Sequence, residues 1–232
     1  MPVETGSTRA AQANGHGGGR GLLKERAYEE IKRRLLTGRY PPGSFLAERQ
    51  LADQLGMSKT PVKAALERLE HEGFISVSPQ QGIVVRELTV HEIADQYEIR
   101  AALETYTVRA VAGRLASDQT ARLRANLKAQ EKTRGKGEVA RCVELDAEFH
   151  TLFAEFLGNQ EILRVTSQLR EKMQRVITAV FRLNPARFDS SYEEHRAIAD
   201  AVTRGDGDGA AALVERHLAI GKQFLLSPRH GI

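Results

Sequence analysis

The sequence predicts a mainly α protein: an N-terminal domain of three helices and a small β-hairpin, followed by an all-α bundle of about six helices. Three observations carry this prediction. Apolar residues recur at helical spacing through most of the chain, runs of β-branched and aromatic residues occur at 74–77 and 83–85, and glycine-containing breaks separate the helical segments. With 41% hydrophobic and 28% charged residues over 232 positions, the chain can bury a core and stay soluble.

Composition excludes several classes of protein. No apolar run approaches the ~20 residues of a membrane-spanning helix, and the N-terminus lacks the apolar core of a secretory signal. A single cysteine, Cys142, excludes a disulfide scaffold and a zinc site built from cysteines alone, and it suits a reducing compartment. We therefore expect a cytoplasmic protein that does not enter membranes. Its net charge of +4 permits nucleic-acid binding without requiring it.

The first domain is predicted over residues 22–87. It follows a Gly- and Ala-rich segment, residues 1–21, which has no helical or strand period and is expected to be a flexible tail. A first helix is predicted over 22–37, because apolar residues recur there at a spacing of four, namely Leu23, Ala27, Ile31 and Leu35.

Two further helices and a hairpin complete this domain. Gly56 separates a short helix over 47–55 from a third over 59–72, and Ser58 is a favourable N-cap for the third. The two β-rich runs flank Ser78-Pro79-Gln80-Gln81-Gly82, which is a turn sequence. Helix, helix, short turn, helix and hairpin form the order of a winged helix-turn-helix, in which the start of the motif's second helix enters the DNA major groove.

Candidate DNA contacts follow from that geometry. Lys59 and Lys63 are four residues apart, so they share the face opposite the apolar stripe of their helix, and Thr60 can reach a phosphate or a base. Ser58 begins this segment, and Arg49 opens the preceding helix. The wing tip, Gln80-Gln81-Gly82, is polar and can approach the minor groove closely. The alternative is that both lysines are ordinary solvated charges.

The second domain is predicted over 90–226, after a short hinge at 86–90. Strand patterns disappear, and helices are predicted over 90–116, 118–132, 138–157, 160–182, 189–204 and 207–226. Breaks rich in Gly, Asn, Ser and Asp separate them, and Asn159 is a candidate N-cap.

Four residues of this domain could bind a metal. Asp146 and His150 lie one helical turn apart, and Cys142 lies one turn earlier on the same stripe. His195 and His217 are symmetric about the GDGDG turn, so an antiparallel hairpin would place both at the same height. Such an Asp–His set suits Zn²⁺, Ni²⁺, Mn²⁺ or Fe²⁺. The alternative is ordinary core histidines and an Asp–His hydrogen bond.

These motifs resemble a known family. The segments AERQLA (47–52) and LGMSKTPVKAALERLEHEGFISVSPQQGIVV (55–85) are similar to the DNA-binding domain of the GntR family of bacterial transcription regulators. The resemblance implies DNA contacts from Arg49, Lys59, Thr60, Lys63, Gln81 and Gly82. The family pattern commonly has arginines where this chain has Lys59 and Lys63. Since Arg reads guanine bidentately and Lys is a point charge, we expect a different base preference there.

The helical domain resembles the ligand-binding (FCD) domain of the FadR-like branch of that family. The resemblance lies in DAEFH (146–150), EHRAI (194–198) and ERHL (215–218). It implies a divalent metal bound by Asp146, His150, His195 and His217. It also implies that Arg100 lies in an effector pocket and pairs with a carboxylate, whereas the residues alone also allow an Arg100–Glu104 pair on a solvated face.

Together these observations predict a homodimeric, sequence-specific regulator of transcription, a repressor as most of the family are. It would bind a palindromic operator in double-stranded DNA under the control of a small organic acid held at the metal. The alternative is a metal-dependent enzyme of the hydrolase type that uses the Asp/His cage to activate water. The sequence favours the regulator, because spacing places no acid–base partner beside the cage.

Overall fold

A computed structural model describes residues 17–78 and 82–226 of the chain. These residues divide into two compact units: the first runs through Arg86, apart from residues 36–38, and the second begins at Glu87. Within the described residues, no helix is both long enough and apolar enough to cross a membrane. The fold is mainly α, with a winged helix-turn-helix first and a helical bundle second, as predicted.

Where the structure describes it, the N-terminal unit contains three helices and three strands. In chain order these are α1 (Gly17–Leu36), β1 (Phe45–Leu46), α2 (Glu48–Leu55), α3 (Lys59–His71), β2 (Ile75–Ser78) and β3 (Gly82–Val85). Helix α1 begins at Gly17 rather than at residue 22, because glycine accepts helical dihedral angles even though it does not favour them. Of the predicted apolar stripe, Ala27, Ile31 and Leu35 are buried, whereas Leu23 is 42% exposed, since it lies before the part of α1 that packs on the core.

The turn between α2 and α3 is built as the sequence predicts. Gly56 adopts the left-handed conformation, with φ of 62°, and its N–H bonds back to the end of α2. Ser58 occupies the N-cap position of α3 but makes no side-chain capping bond. Val62, Leu66 and Leu69 are buried, which fixes the opposite face of α3 towards solvent.

The wing is a three-stranded antiparallel sheet with the order β1-β3-β2. Strands β2 and β3 form the predicted hairpin, with Ile75 opposite Val85 and Ser78 opposite Gly82. Strand β1 forms a short edge of this sheet, with Phe45 opposite Val84. This two-residue strand was not predicted from the sequence. The predicted contact Gln81 lies outside the described residues.

Between residues 87 and 226, the C-terminal unit contains six helices, the number predicted. They are α4 (Val90–Val111), α5 (Ser117–Thr133), α6 (Val139–Leu157), α7 (Gln160–Leu183), α8 (Pro185–Arg204) and α9 (Gly207–Leu226). Helix α4 ends before the predicted residue 116, because Gly113 turns the chain at φ of 70° and its N–H bonds to Val202 O. Helix α8 begins earlier than predicted, with Pro185 in the first turn, where proline is tolerated.

These helices pack around one apolar core. Helix α4 packs along α9 and α6, and α6 packs on α7. Phe149, Met173 and Ile198 are among the fully buried side chains. Asn159 caps α7 by accepting from the N–H groups of Glu161 and Ile162. Helices α8 and α9 pack together through the Gly205 turn, which brings residues on either side of it to the same level.

Candidate functional site

Three histidines from three helices meet in the core of the C-terminal unit. His150 on α6, His195 on α8 and His217 on α9 are all buried, and their ring centroids lie 4.8–5.0 Å apart. One ring nitrogen of each histidine lies within 4.8 Å of one ring nitrogen of each of the other two. The His150 and His217 Nε2 atoms are 3.2 Å apart. The predicted hairpin therefore does place His195 and His217 at one height.

Asp146 lies beside this cluster on α6, one turn before His150. Its Oδ1 is 3.7 Å from Nε2 of His195, and its Oδ2 accepts a hydrogen bond from Nη2 of Arg170. Burial alone would raise the pKa of Asp146, but the Arg170 guanidinium and the neighbouring imidazoles hold it well below its usual range. The carboxylate therefore stays ionised and presents one oxygen towards the histidines.

Each histidine uses its other nitrogen, Nδ1, to bond an outer partner. His150 Nδ1 donates to Glu104 Oε2 at 2.6 Å, and His217 Nδ1 donates to Glu194 Oε2 at 2.5 Å. His195 Nδ1 donates to Gln130 Oε1 at 2.9 Å, and Gln130 in turn donates to Asn126. Because carboxylate and amide oxygens only accept, each Nδ1 carries a proton, and a neutral ring then presents its Nε2 lone pair inwards.

The inward nitrogens of His150 and His195 carry no proton at neutral pH. Burial lowers the pKa of His150 to about 4 and that of His195 well below its usual value, so both rings are neutral at neutral pH. His195 Nε2 is buried with no hydrogen-bond partner in the described part of the chain. Nitrogen ligands at ~2.1 Å from one ion lie roughly 3.0–3.4 Å apart, and the 3.2 Å between His150 and His217 matches this. The residues present thus fit a divalent metal.

Arg100 on α4 is buried, with 3% of its surface exposed, and its Nε donates to Glu104 Oε1 at 2.7 Å. The pair with Glu104 exists, but the solvated face considered from the sequence does not, because both side chains lie inside the bundle. Glu104 links Arg100 to His150, since its second oxygen holds the imidazole.

A small cavity of about 40 Å³ lies next to the histidines. Its polar lining consists of Tyr97, Arg100, Asp146, Arg170, Arg187, Ser191 and His217. Cys142 is buried but does not line it.

Two arginines of this cavity were missed by sequence reasoning. Arg170 on α7 is 4% exposed and bonds Asp146, and Arg187 on α8 makes a two-pronged pair with Glu194 at 2.8 and 2.9 Å. The sequence does contain a pattern that could have found Arg170. It follows Thr166 by four residues and precedes Met173 by three, so it lies on the buried face of an amphipathic helix.

In the N-terminal unit, the candidate DNA contacts lie on the surface. Ser58, Lys59, Thr60 and Lys63 are exposed along the first turns of α3, and Arg49 is exposed at the start of α2. Gly82 is exposed at the start of β3, with φ of 79° and open space where a Cβ would be. The Ser58 hydroxyl, which does not cap α3, is available for another partner.

Comparison with known proteins identifies the family of this chain. Residues 23–85 match the family "Bacterial regulatory proteins, gntR family", and residues 95–220 match the FCD domain. A curated relative, the Nta operon transcriptional regulator of Aminobacter aminovorans, is 30% identical over 77% of this chain and 83% of its own. The HTH-type transcriptional repressor RspR of Escherichia coli is 24% identical over 84% of this chain and 86% of its own.

Solved structures share the fold. E. coli McbR/YncC aligns with a TM-score of 0.76 at 24% identity, over 88% of this chain and 96% of that one. A GntR regulator described as putative, from Rhodococcus sp. RHA1, aligns with a TM-score of 0.78 at 18% identity, over 89% of this chain and 99% of that one. The prediction of a regulator rather than an enzyme is confirmed: the chain belongs to the GntR family of bacterial transcriptional regulators, in the branch that carries an FCD domain.

Proposed function

We propose that this regulator is a homodimeric repressor whose binding to a palindromic operator is controlled by a small carboxylate effector at a divalent metal. One observation carries the proposal. Three buried imidazoles and the ionised Asp146 converge beside a cavity that also contains the buried guanidinium of Arg100. A carboxylate is the ligand that a metal ion and a guanidinium would hold together.

DNA is read by the exposed start of α3 and its neighbours. Lys59 and Lys63 contribute positive charge on the face turned away from the core, and Ser58 and Thr60 contribute hydroxyls. Arg49 contacts the backbone from α2, and Gln81 and Gly82 are the further DNA contacts that the sequence predicts. Since the lysine ammonium group is a point charge, Lys59 and Lys63 supply affinity more than base discrimination.

The test is the effect of Lys59→Ala and Lys63→Ala, made separately, on operator binding. Each variant should weaken binding while helical content and oligomeric state stay unchanged, and each lost phosphate contact should lower the salt slope by about one. Lys128→Ala, which removes an exposed lysine of the other unit, is the matched control. Wild-type operator affinity in both α3 variants would overturn the assignment.

The metal is bound by Asp146, His150, His195 and His217, and zinc, nickel, manganese and iron all accept this donor set. When bound, the ion supplies positive charge and open coordination positions for an acid. The chain's own residues do the rest: Glu104, Gln130 and Glu194 fix the imidazole rings, and Arg100 orients the acid.

Arg100 connects the effector to the DNA-binding unit through the chain. It lies on α4, the first helix after the segment that joins the two units. If α4 can occupy two positions, an acid with a higher affinity for one of them shifts the population between dimers that bind the operator and dimers that do not.

The effector assignment is tested by Arg100→Lys. The charge is kept but the planar fork is lost, so any acid that stabilises the wild type in a thermal-shift screen should bind this variant roughly tenfold more weakly. Arg122→Lys, an exposed position on α5, is the control. A neutral or cationic effector, or an acid that both proteins bind equally, would contradict the proposal.

A further inference from the structure

The cavity contains more hydrogen-bond donors than one carboxylate requires. Nη2 of Arg100 and both Nε and Nη1 of Arg170 are buried, and none has a hydrogen-bond partner in the described residues. The two side chains are 3% and 4% exposed, and both line the cavity. Buried donors of this kind are rare in folded proteins unless a ligand or water satisfies them. These donors come from two helices, α4 and α7, so hydrogen-bond acceptors are needed at more than one position in the cavity.

The fixed charges around the cavity balance only while no metal is bound. Arg100, Arg170 and Arg187 supply three positive charges, and Glu104, Asp146 and Glu194 supply three negative ones. The histidines are counted as neutral, because a metal ion binds the neutral form of the imidazole. A divalent ion therefore adds two positive charges to a buried site at which the described residues place no further carboxylate.

Buried charge requires compensation by ligand charge when the protein supplies none. A monocarboxylate would neutralise one of the two added charges and would leave the Arg170 donors unused. A ligand with two acid groups would neutralise both and would also give Arg170 an acceptor. The small volume of the cavity, about 40 Å³, favours a short diacid over a long-chain acid.

We propose that the effector is a short dianionic diacid, with one carboxylate at the metal and Arg100 and the second at Arg170. This inference rests on the proposed function and deepens it, since it assigns the charge class of the ligand and a specificity-determining role to Arg170. Arg170 also holds Asp146, so the second acid group would bind next to the metal-ligand shell rather than at a remote subsite.

The experiment compares diacids with their monoamides, which have nearly the same shape and one charge fewer. Metal-loaded full-length protein is titrated with malonate, succinate and glutarate, and with malonamate, succinamate and glutaramate, by calorimetry and thermal shift. At least one diacid should bind roughly tenfold or more tightly than its own monoamide. Elemental analysis after each titration checks that the metal has stayed in the protein.

Arg170→Gln should reduce this preference to within roughly twofold, because it removes the second positive group. Where that variant does not fold, Arg170→Lys keeps the charge beside Asp146 and should still lower the preference, since the donor geometry is lost.

The outcomes separate the two proposals. Monoamides that bind as well as their diacids, in an Arg100-dependent way, would overturn the diacid inference and leave the proposed function standing. An undiminished diacid preference in folded variants of Arg170 would overturn its specificity role. Protein that holds no metal and binds none of the six probes would overturn both proposals.

Discussion

Each clustered histidine is held from outside by a different kind of partner. Glu104 and Glu194 are carboxylates that raise the electron density on His150 and His217, whereas Gln130 is a neutral amide that fixes His195 with less electronic effect. His195 is also stacked on Phe149, with ring centroids 4.1 Å apart. The rings are therefore oriented before any ion arrives, which lowers the entropic cost of binding one.

Replacement of one of these rings should empty the site. His217→Ala removes the nitrogen that lies 3.2 Å from His150 Nε2, so purified protein should fall from close to one divalent ion per chain to a trace. Elemental analysis of gently purified protein measures this. His91→Ala, at a side chain that is 89% exposed, should keep the wild-type metal content. Equal trace amounts in the wild type and in His217→Ala would show that the cluster does not bind a metal.

Sequence reasoning found the inward-facing residues of the site but not their outer partners. His195 and His217 could be paired because they are symmetric about a short turn, and Asp146 and His150 because they are one turn apart. Glu194 is next to His195 in the sequence, yet it bonds His217 on the neighbouring helix. Partners of this kind depend on the rotation of each helix about its axis, which periodicity fixes only to within one face.

Among the elements, α1 and α3 are joined by a polar cluster that the apolar pattern does not predict. Tyr28 on α1 donates to both oxygens of Glu72, at 2.9 and 2.8 Å, and Lys32 donates to Glu72 at 3.1 Å. Arg68 reaches the same carboxylate at 3.1 Å and covers the Tyr28 ring at 3.5 Å from its centroid. Glu72 thus anchors the end of the helix that carries Lys59 and Lys63, which keeps their face turned outwards.

This cluster gives the N-terminal unit a pH-dependent stability. Burial would raise the pKa of Glu72, but the bonds from Tyr28 and Lys32 outweigh it, and the pKa lies below its ordinary value of 4.5. A carboxyl group whose pKa is lower in the folded state stabilises the fold fully above the unfolded-state value. That stabilisation is lost as the pH falls through the folded-state value.

Glu72→Gln should accordingly destabilise the unit at neutral pH by about 1–3 kcal/mol, the usual cost of losing hydrogen bonds to a charged group. The penalty should shrink as the pH falls from about 4.5 through the lower folded-state pKa, because the wild-type carboxyl is protonated first in the unfolded and then in the folded state. Hydrogen exchange of the α1 amides, compared between variant and wild type at each pH, measures the difference locally. Glu67→Gln, an exposed position on α3, should show neither effect, and a penalty independent of pH would contradict this account.

At the scale of the molecule, the order and number of the described helices followed from the apolar period and from breaks rich in Gly, Asn, Ser and Asp. The exceptions are local. Strand β1 is two residues long, too short for alternation to register, and it exists because β3 offers an edge to pair with. Helix α4 stops early because Gly113 and Gly205 approach each other, with a Cβ position on Gly113 only 3.1 Å from the Cα of Gly205. Backbone contacts of this kind, between residues far apart in the sequence, cannot be predicted from local sequence patterns.

The burial of the four proposed metal-binding residues also affects the rate at which a metal could exchange. His195 is 0% exposed, and Asp146, His150 and His217 are each 5% exposed or less, so an ion can leave only when helices separate locally. Exchange would then be limited by the opening of the bundle and not by the strength of the metal–nitrogen bonds. Metal loss from the purified protein should therefore proceed at the same rate when the chelator concentration is raised roughly tenfold, whereas direct attack by the chelator would raise the rate in proportion. We therefore expect the proposed metal to be acquired when the chain folds and to exchange only slowly afterwards.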